Sequence, residues 1–183
     1  YRSRLVRGSK ELYKDASVLP PAGVRVLAGA KSAPPPARDP KTRRFRFADF
    51  PNFTPNLSPE EVLRRGSFGG TYFRSIESAV TNRRYAARDA LASTVKKEWV
   101  AGLDAAVFLT SPVYRPAVNK WGVKCGGSLG MWESSGWISE LDPYGAFQWY
   151  CRFFEGRRSS DDARQISRLL GVMGPPGGSR RQL

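Results

Sequence analysis

The chain has 183 residues, enough for one domain with a hydrophobic core and flanking extensions. Its net charge of +14 predicts a polyanionic partner, and the lack of histidine excludes His-based metal sites and catalytic triads. Two cysteines, Cys125 and Cys151, do not make a disulfide framework, and no apolar run approaches the length of a membrane span. We therefore expect no metal, no cofactor, no membrane insertion and no small-molecule substrate.

Residues 1–46 are predicted to form an extended N-terminal arm. They contain six prolines and twelve basic residues against three acidic ones. A segment of this composition lacks fixed structure alone and orders when it docks in a larger assembly. Five of the first fourteen residues are basic, which fits the remnant of an organellar transit region and equally a truncated chain. The alternative is an ordinary soluble protein that such an arm alone makes basic.

The arm ends in a run where arginines alternate with phenylalanines: Arg43, Arg44, Phe45, Arg46 and Phe47. Two interpretations stay open. The arginines and rings could together hold phosphates and stack on bases. Alternatively, the phenylalanines begin packing onto the domain while the arginines face water. Both can hold at once.

The globular domain is predicted over residues 47–171. Ser58 is expected to cap a short helix, with Pro59 in its first position and Glu61 completing a capping box. Gly66 is expected to end this helix. The Gly-rich stretch 66–74 lacks the spacing of a P-loop or a dinucleotide site, so we expect a tight turn between backbone segments, with a small strand over 71–76.

A second group of arginines, Arg83, Arg84 and Arg88, surrounds Tyr85. After it, apolar residues at four-residue spacing predict a helix over 86–100.

Another short helix is expected to begin after Ser128 and to close at Gly136. Four of the five tryptophans lie between Trp121 and Trp149, and in a small domain such a cluster favours a core over a ligand site.

The central element is a helix predicted between Asp142 and Gly156, the densest aromatic segment of the sequence. Asp142 is expected to cap it, Pro143 to occupy its first turn, and Gly156 to end it in a left-handed conformation. Because apolar residues cover most of its circumference, this helix should be buried on more than one side. Arg157 and Arg158 follow directly and give the helix a basic end.

A last helix is predicted from Ser159 to Gly171, with Arg164 and Arg168 exposed. Residues 172–183 form a second extension rich in glycine, proline and arginine. The sequence therefore predicts a mainly α fold with much irregular structure. Three to four short helices pack around tryptophans, with room for one small strand pair, between extended basic arms.

Three segments together resemble an uncharacterised family of small Trp-rich proteins of algae, fungi and other microbial eukaryotes. They are GSFGGTYFR, NKWGVKCGGSLGMWESSGWI and DPYGAFQWYCRFFEGRRSSDDARQI. The resemblance covers residues 47–170 and leaves out both extensions. It implies a shared domain that includes the GRRSSDDARQI segment, but no activity is known for the family, so it carries over no catalytic residue.

The first hypothesis for function is a non-enzymatic, RNA-binding structural component of an organellar ribosome, mitochondrial or alternatively plastid. Its partners are rRNA and neighbouring ribosomal proteins, and its arms neutralise phosphates with little sequence specificity. The candidate RNA-binding residues are Arg43, Arg44, Arg46, Arg83, Arg84, Arg88, Arg157 and Arg158.

Two alternatives come from other classes of function. In a nucleic-acid-acting enzyme, Asp161 and Asp162, with Asp142 or Glu155, could hold a magnesium ion. However, Asp161 and Asp162 also lie where carboxylates favour the start of a helix regardless of any metal. The third hypothesis is a non-RNA scaffold subunit of another large organellar complex.

Overall fold

The computed structural model describes residues 33–120 and 129–172, and these form short helices, two antiparallel strand pairs and long irregular connections. The predicted mainly α fold is confirmed. The strands are β1 (Ala37–Arg38), β2 (Phe45–Arg46), β3 (Ile76–Ser78) and β4 (Arg83–Tyr85). The α-helices are α1 (Pro59–Arg64), α2 (Ala87–Thr94), α3 (Ala105–Phe108), α4 (Leu129–Ser134), α5 (Ala146–Phe154) and α6 (Asp162–Val172).

Helix α5 is the centre of the core, as its apolar circumference predicts. Trp149, Cys151 and Phe153 are completely buried. The ring of Phe153 lies 4.8 Å from that of Phe47 and 5.8 Å from that of Phe53, so the segment before α1 packs directly on the helix. Burial on more than one side is therefore confirmed.

The predicted start of α5 is wrong, and its predicted end is confirmed. The helix begins at Ala146, after Gly145 at φ 105°, and Asp142 pairs with arginines instead of capping it. At the other end Gly156 has φ 101°. A Cβ there would lie 2.5 Å from the Ala33 carbonyl oxygen, so this position requires glycine.

The described part of the predicted arm is folded onto the domain. Strands β1 and β2 pair with Ala37 opposite Arg46 and Arg38 opposite Phe45. Phe45 is buried, and its ring lies edge-on to Phe154 at 5.1 Å. The predicted boundary at residue 46 therefore cuts through a folded hairpin, because Phe45 belongs to the core.

Helix α1 forms as predicted. Ser58 Oγ accepts the Glu61 N–H at 3.1 Å, and Glu61 Oε1 accepts the Ser58 N–H at 2.9 Å, which completes the capping box. Gly66 follows at φ 60°, and a Cβ there would lie 1.9 Å from the Val118 carbonyl oxygen. The close backbone approach expected of the Gly-rich stretch is thus confirmed.

The strand predicted over 71–76 is wrong. The N–H of Phe73 donates to the Leu109 carbonyl at 2.9 Å, and the Gly70 carbonyl accepts the Ser111 N–H at 2.8 Å. These contacts with an irregular loop take the place of strand pairing, and β3 begins only at Ile76.

The helix predicted over 86–100 is two elements. Helix α2 ends at Thr94, Val95 is extended at ψ 132°, and a 3₁₀ turn covers Lys97–Val100. Thr94 and Val95 are both buried, and Thr94 Oγ1 accepts a hydrogen bond from Gln148 Nε2 of α5 at 3.0 Å. Packing of this pair against α5 fixes the break.

Towards the C-terminus, α4 closes near Gly136 at φ 68°, as predicted, while its predicted cap Ser128 lies outside the described residues, as do Trp121 and Cys125. Helix α6 continues past Gly171. Trp149 is fully buried, and Trp99 is half-buried against the core. Trp132 and Trp137 are also half-buried.

The two arginines of α6 differ from their prediction as exposed residues. Arg164 is buried and pairs with Asp161, and Arg168 lies half-buried with its guanidinium 4.5 Å from the Trp137 ring centroid. None of the helices in the described part of the chain has the length and apolar character that crossing a bilayer requires.

Candidate nucleic-acid interface

The β1–β2 hairpin separates its aromatic from its basic side chains. Phe45 and Phe47 are buried, while Arg43, Arg44 and Arg46 are exposed. Successive residues of a strand point to opposite faces, so the alternating sequence places rings inward and guanidinium groups outward. The phenylalanines therefore pack on the domain, where burial leaves no free ring face for a base. We call Arg43, Arg44 and Arg46 the hairpin arginines.

Asp39 holds the loop of this hairpin in one shape. Its Oδ1 accepts the N–H groups of Lys41 at 2.8 Å and Thr42 at 2.9 Å, and its Oδ2 accepts from Arg46 Nη2 at 2.8 Å. The hydrogen bonds from the backbone of Thr42 and Lys41 hold the pKa of Asp39 below its usual value. The carboxylate is therefore ionised near neutral pH, and the loop stays closed.

The hairpin arginines keep donors for a ligand. Arg44 Nη1 donates to the Thr54 carbonyl at 2.9 Å, and Arg46 pairs with Asp39 while its side chain is 66% exposed. A guanidinium carries five N–H donors, so each of these contacts leaves further donors directed at solvent. Arg43 is exposed at the loop with a left-handed φ of 62°.

Arg38 has a different function within the same hairpin. Its guanidinium lies 4.4 Å from the Phe45 ring centroid and pairs with Glu61 at 3.0 Å. It also donates to the carbonyls of Arg43 and Asn56, at 2.8 and 2.9 Å. Arg38 thus ties the hairpin to α1. Sequence reasoning missed this role because Asn56 and Glu61 lie far from Arg38 along the chain.

The second group of arginines is also exposed and lies on β4 and α2. We call its members, Arg83, Arg84 and Arg88, the second arginines. Glu77 lies 3.9 Å from Arg84, and Asp89 stands in the first turn of α2. Residues 76–89 hold three basic and two acidic side chains, against five and one in residues 37–46. The positive potential is therefore weaker here than at the hairpin.

The two arginine groups lie at opposite ends of α5. Phe45 of β2 contacts Phe154, the last residue of the helix, at 5.1 Å between ring centroids. Tyr85 of β4 contacts Tyr144, which precedes the helix, at 6.2 Å. Nine residues of α-helix span about 13 Å. The structure therefore presents two separate basic surfaces.

Arg157 and Arg158 are engaged within the fold and are not exposed contacts. Arg157 donates two hydrogen bonds to Asp142, at 2.7 and 2.5 Å, and Arg158 donates to Asp49 at 2.7 Å. Arg158 also stacks on Phe153, with its guanidinium 3.8 Å from the ring centroid. Because Asp142 is 1% exposed, its charge needs this counter-ion.

The acidic residues considered for magnesium are also used inside the core. Asp161 and Asp162 are each 1% exposed. Asp161 pairs with Arg164, and Asp162 accepts hydrogen bonds from Trp149 Nε1 at 2.8 Å and the Ser159 N–H at 2.7 Å. Burial raises the pKa of Asp162. Within residues 33–120 and 129–172, no three acidic or cysteine side chains come together as a metal site.

Comparison of the chain with protein-family models, with curated proteins and with solved structures gives no match. The resemblance to a Trp-rich family stays a prediction.

Proposed function

We propose that this protein is a non-enzymatic, RNA-binding structural component of an organellar ribosome, most simply the mitochondrial one. Its partners would be rRNA and neighbouring ribosomal proteins. The observation that carries the proposal is the β1–β2 hairpin, which holds three outward arginines on a loop closed by Asp39. The chain before it, residues 1–32, adds seven basic residues against two acidic ones.

Phosphate contacts of this kind contribute affinity by releasing condensed counter-ions, and they carry little sequence information. A structural protein of a ribonucleoprotein needs this property, because its place is set by the shape of the assembly. Extended basic segments suit crevices between RNA helices, where they become ordered as they dock.

The nuclease alternative loses its main support. The carboxylates that it requires, Asp142, Asp161 and Asp162, accept hydrogen bonds from arginine, tryptophan and backbone groups inside the core. Glu155 pairs with Lys96 at 3.0 Å. A metal ion at this site would have to displace those buried contacts.

The scaffold alternative predicts that an acidic protein surface lies against the hairpin, whereas the ribosomal proposal predicts RNA phosphates there.

The test is to sediment the endogenous protein through a gradient of organellar lysate, with and without ribonuclease, at moderate and high salt. We expect it to travel with a ribosomal subunit and to leave after RNA digestion. Migration as a free protein, or with a membrane complex, in lysate that has not been digested would contradict the proposal.

A further inference from the structure

We propose that the hairpin arginines, and not the second arginines, make the principal RNA contact, and that this contact is with the phosphate backbone of double-helical RNA. The inference rests on the function proposed above and names both the surface and the form of RNA that it binds. Three observations carry it: where the basic chain joins the domain, how the loop is held, and where the aromatic rings lie.

Of the two basic surfaces in the described part of the chain, the hairpin at the C-terminal end of α5 has the larger excess of positive charge, with five basic residues and one acidic one in 37–46. Ala33 donates its N–H to the Gly156 carbonyl at 2.8 Å, two residues beyond the end of the helix. The basic segment 1–32 therefore joins the domain beside Phe154, which is the residue that Phe45 of the hairpin contacts. The seven basic residues of 1–32 are therefore attached to the chain at the hairpin end of α5 and not at the end that carries the second arginines.

The hairpin presents its charges on a preorganised frame. The loop N–H groups of Lys41 and Thr42 bind Asp39, the Arg43 N–H binds the Asp39 carbonyl at 2.8 Å, and Arg38 ties the frame to α1. A frame fixed before binding loses little conformational entropy on contact with RNA. Regularly placed phosphates of a helix suit such a frame better than a flexible single strand does.

The aromatic side chains point to the same form of RNA. Proteins that hold single strands stack successive bases on accessible aromatic rings. In residues 33–120 and 129–172 every phenylalanine, tyrosine and tryptophan is buried or half-buried. Double-helical RNA is recognised mostly by shape and by contacts to phosphate and sugar, which need no such rings.

The test uses the full chain and two RNA probes that carry equal numbers of phosphates. One is a blunt duplex of about 16 base pairs, and the other a pyrimidine single strand of about twice that length. Fluorescence anisotropy of the labelled RNA measures Kd over a series of salt concentrations. We expect the duplex to bind more tightly.

Two matched variants then locate the contact. One carries Arg43→Gln, Arg44→Gln and Arg46→Gln, and the other carries the same change at all three second arginines. We expect the hairpin variant to bind the duplex on the order of 100-fold more weakly, with a salt slope shallower by about 3. The control variant loses the same charge, and its Kd for the duplex should stay within about three-fold of that of the original chain.

A separate pair of variants guards against a folding artefact. Lysine at the three hairpin positions keeps the charge and should restore affinity, because phosphates accept a point charge. Arg43→Glu changes one exposed loop side chain, leaves the Asp39 contacts in place and should weaken binding in the same direction. Full affinity in the Arg43→Glu variant would count against the hairpin assignment.

The outcomes separate this inference from the proposed function. A single strand that binds as tightly as the duplex overturns the assignment to helical RNA. Equal losses in the two glutamine variants overturn the assignment to the hairpin. Both results leave RNA binding itself intact. If the original chain binds neither probe, the proposed function fails and the inference fails with it.

Discussion

Two regions of this molecule use arginine in opposite ways. At the hairpin, Arg43, Arg44 and Arg46 are exposed on a frame that uses the backbone of Arg43 but not its side chain. After α5, Arg157 and Arg158 fold back onto Asp142 and Asp49. Both groups of arginines have phenylalanines close by in the chain, so the two stretches are similar in sequence. The difference is how far each guanidinium is enclosed: Arg46 pairs with Asp39 but its side chain stays 66% exposed, whereas the side chains of Arg157 and Arg158 are only 20% and 14% exposed. Charge alone therefore does not identify a binding surface.

The largest expected effect is that of alkaline pH, which should unfold the domain while its arginines keep their charge. Burial raises the pKa of Tyr144 to about 12 and raises the pKa of Tyr72 and Tyr150 as well. The folded state therefore favours the neutral phenols, and their contribution to stability is complete below the unfolded value of about 10. It is lost as the pH rises from 10 towards 12, whereas arginines in both regions stay charged.

Tyrosine absorbance and far-UV circular dichroism, followed together from pH 8 to above 12, check this expectation. Three of the seven tyrosines should ionise only as the helices are lost. Ionisation of these three phenols near pH 10 with the helices intact would contradict their burial.

A substitution of Arg157 by leucine is expected to cost about 3 kcal/mol of unfolding free energy, because it leaves Asp142 buried with only Arg152 as its partner. The same change at Arg43, the matched control in the hairpin, should stay within about 0.5 kcal/mol. Urea unfolding measures both. Similar costs at the two positions would erase the distinction between the regions.

Much of this contrast depends on partners that are distant in sequence. The capping box at Ser58, the glycine at 156 and the outward placement of the hairpin arginines follow from local patterns and were predictable. The partner of Arg158 was not, because Asp49 lies 109 residues away.

The start of α5 was missed for a related reason. The position of Asp142 before Pro143 predicts a helix cap, but its carboxylate accepts hydrogen bonds from Arg152 and Arg157, which come later in the chain. The buried state of Arg164 was missed although its partner Asp161 is only three residues away, because Asp161 was considered only as a helix-start residue or a magnesium ligand. Local pattern therefore predicts which elements form here, and tertiary pairing decides which charges remain free.

An intermediate effect is expected from Asp162→Ala. The change removes the acceptor for the Trp149 indole N–H and for the Ser159 N–H, and a buried donor without a partner costs about 1–3 kcal/mol. We expect a loss near 2 kcal/mol in urea and a shift in tryptophan emission. RNA affinity at a temperature where the variant is folded should not change, because Asp162 lies in the core and not at the hairpin. A fall in affinity without a loss of stability would revive a direct role for this carboxylate.

The smallest effect, and the sharpest test of the contrast, is that of Arg38→Lys. Lysine keeps the charge but loses the planar contact with Phe45 and the fork of hydrogen bonds to the carbonyls of Arg43 and Asn56. We expect about 1 kcal/mol less stability and a loss of RNA affinity of up to about five-fold. The salt slope should be unchanged, because the number of phosphate contacts stays the same.

Arg43→Lys is the matched control and should alter neither the stability nor the RNA affinity. If Arg38→Lys leaves affinity untouched, total charge alone governs binding and the fixed frame of the hairpin contributes nothing. If affinity falls at constant salt slope, the inward arginine determines how well the outward ones bind.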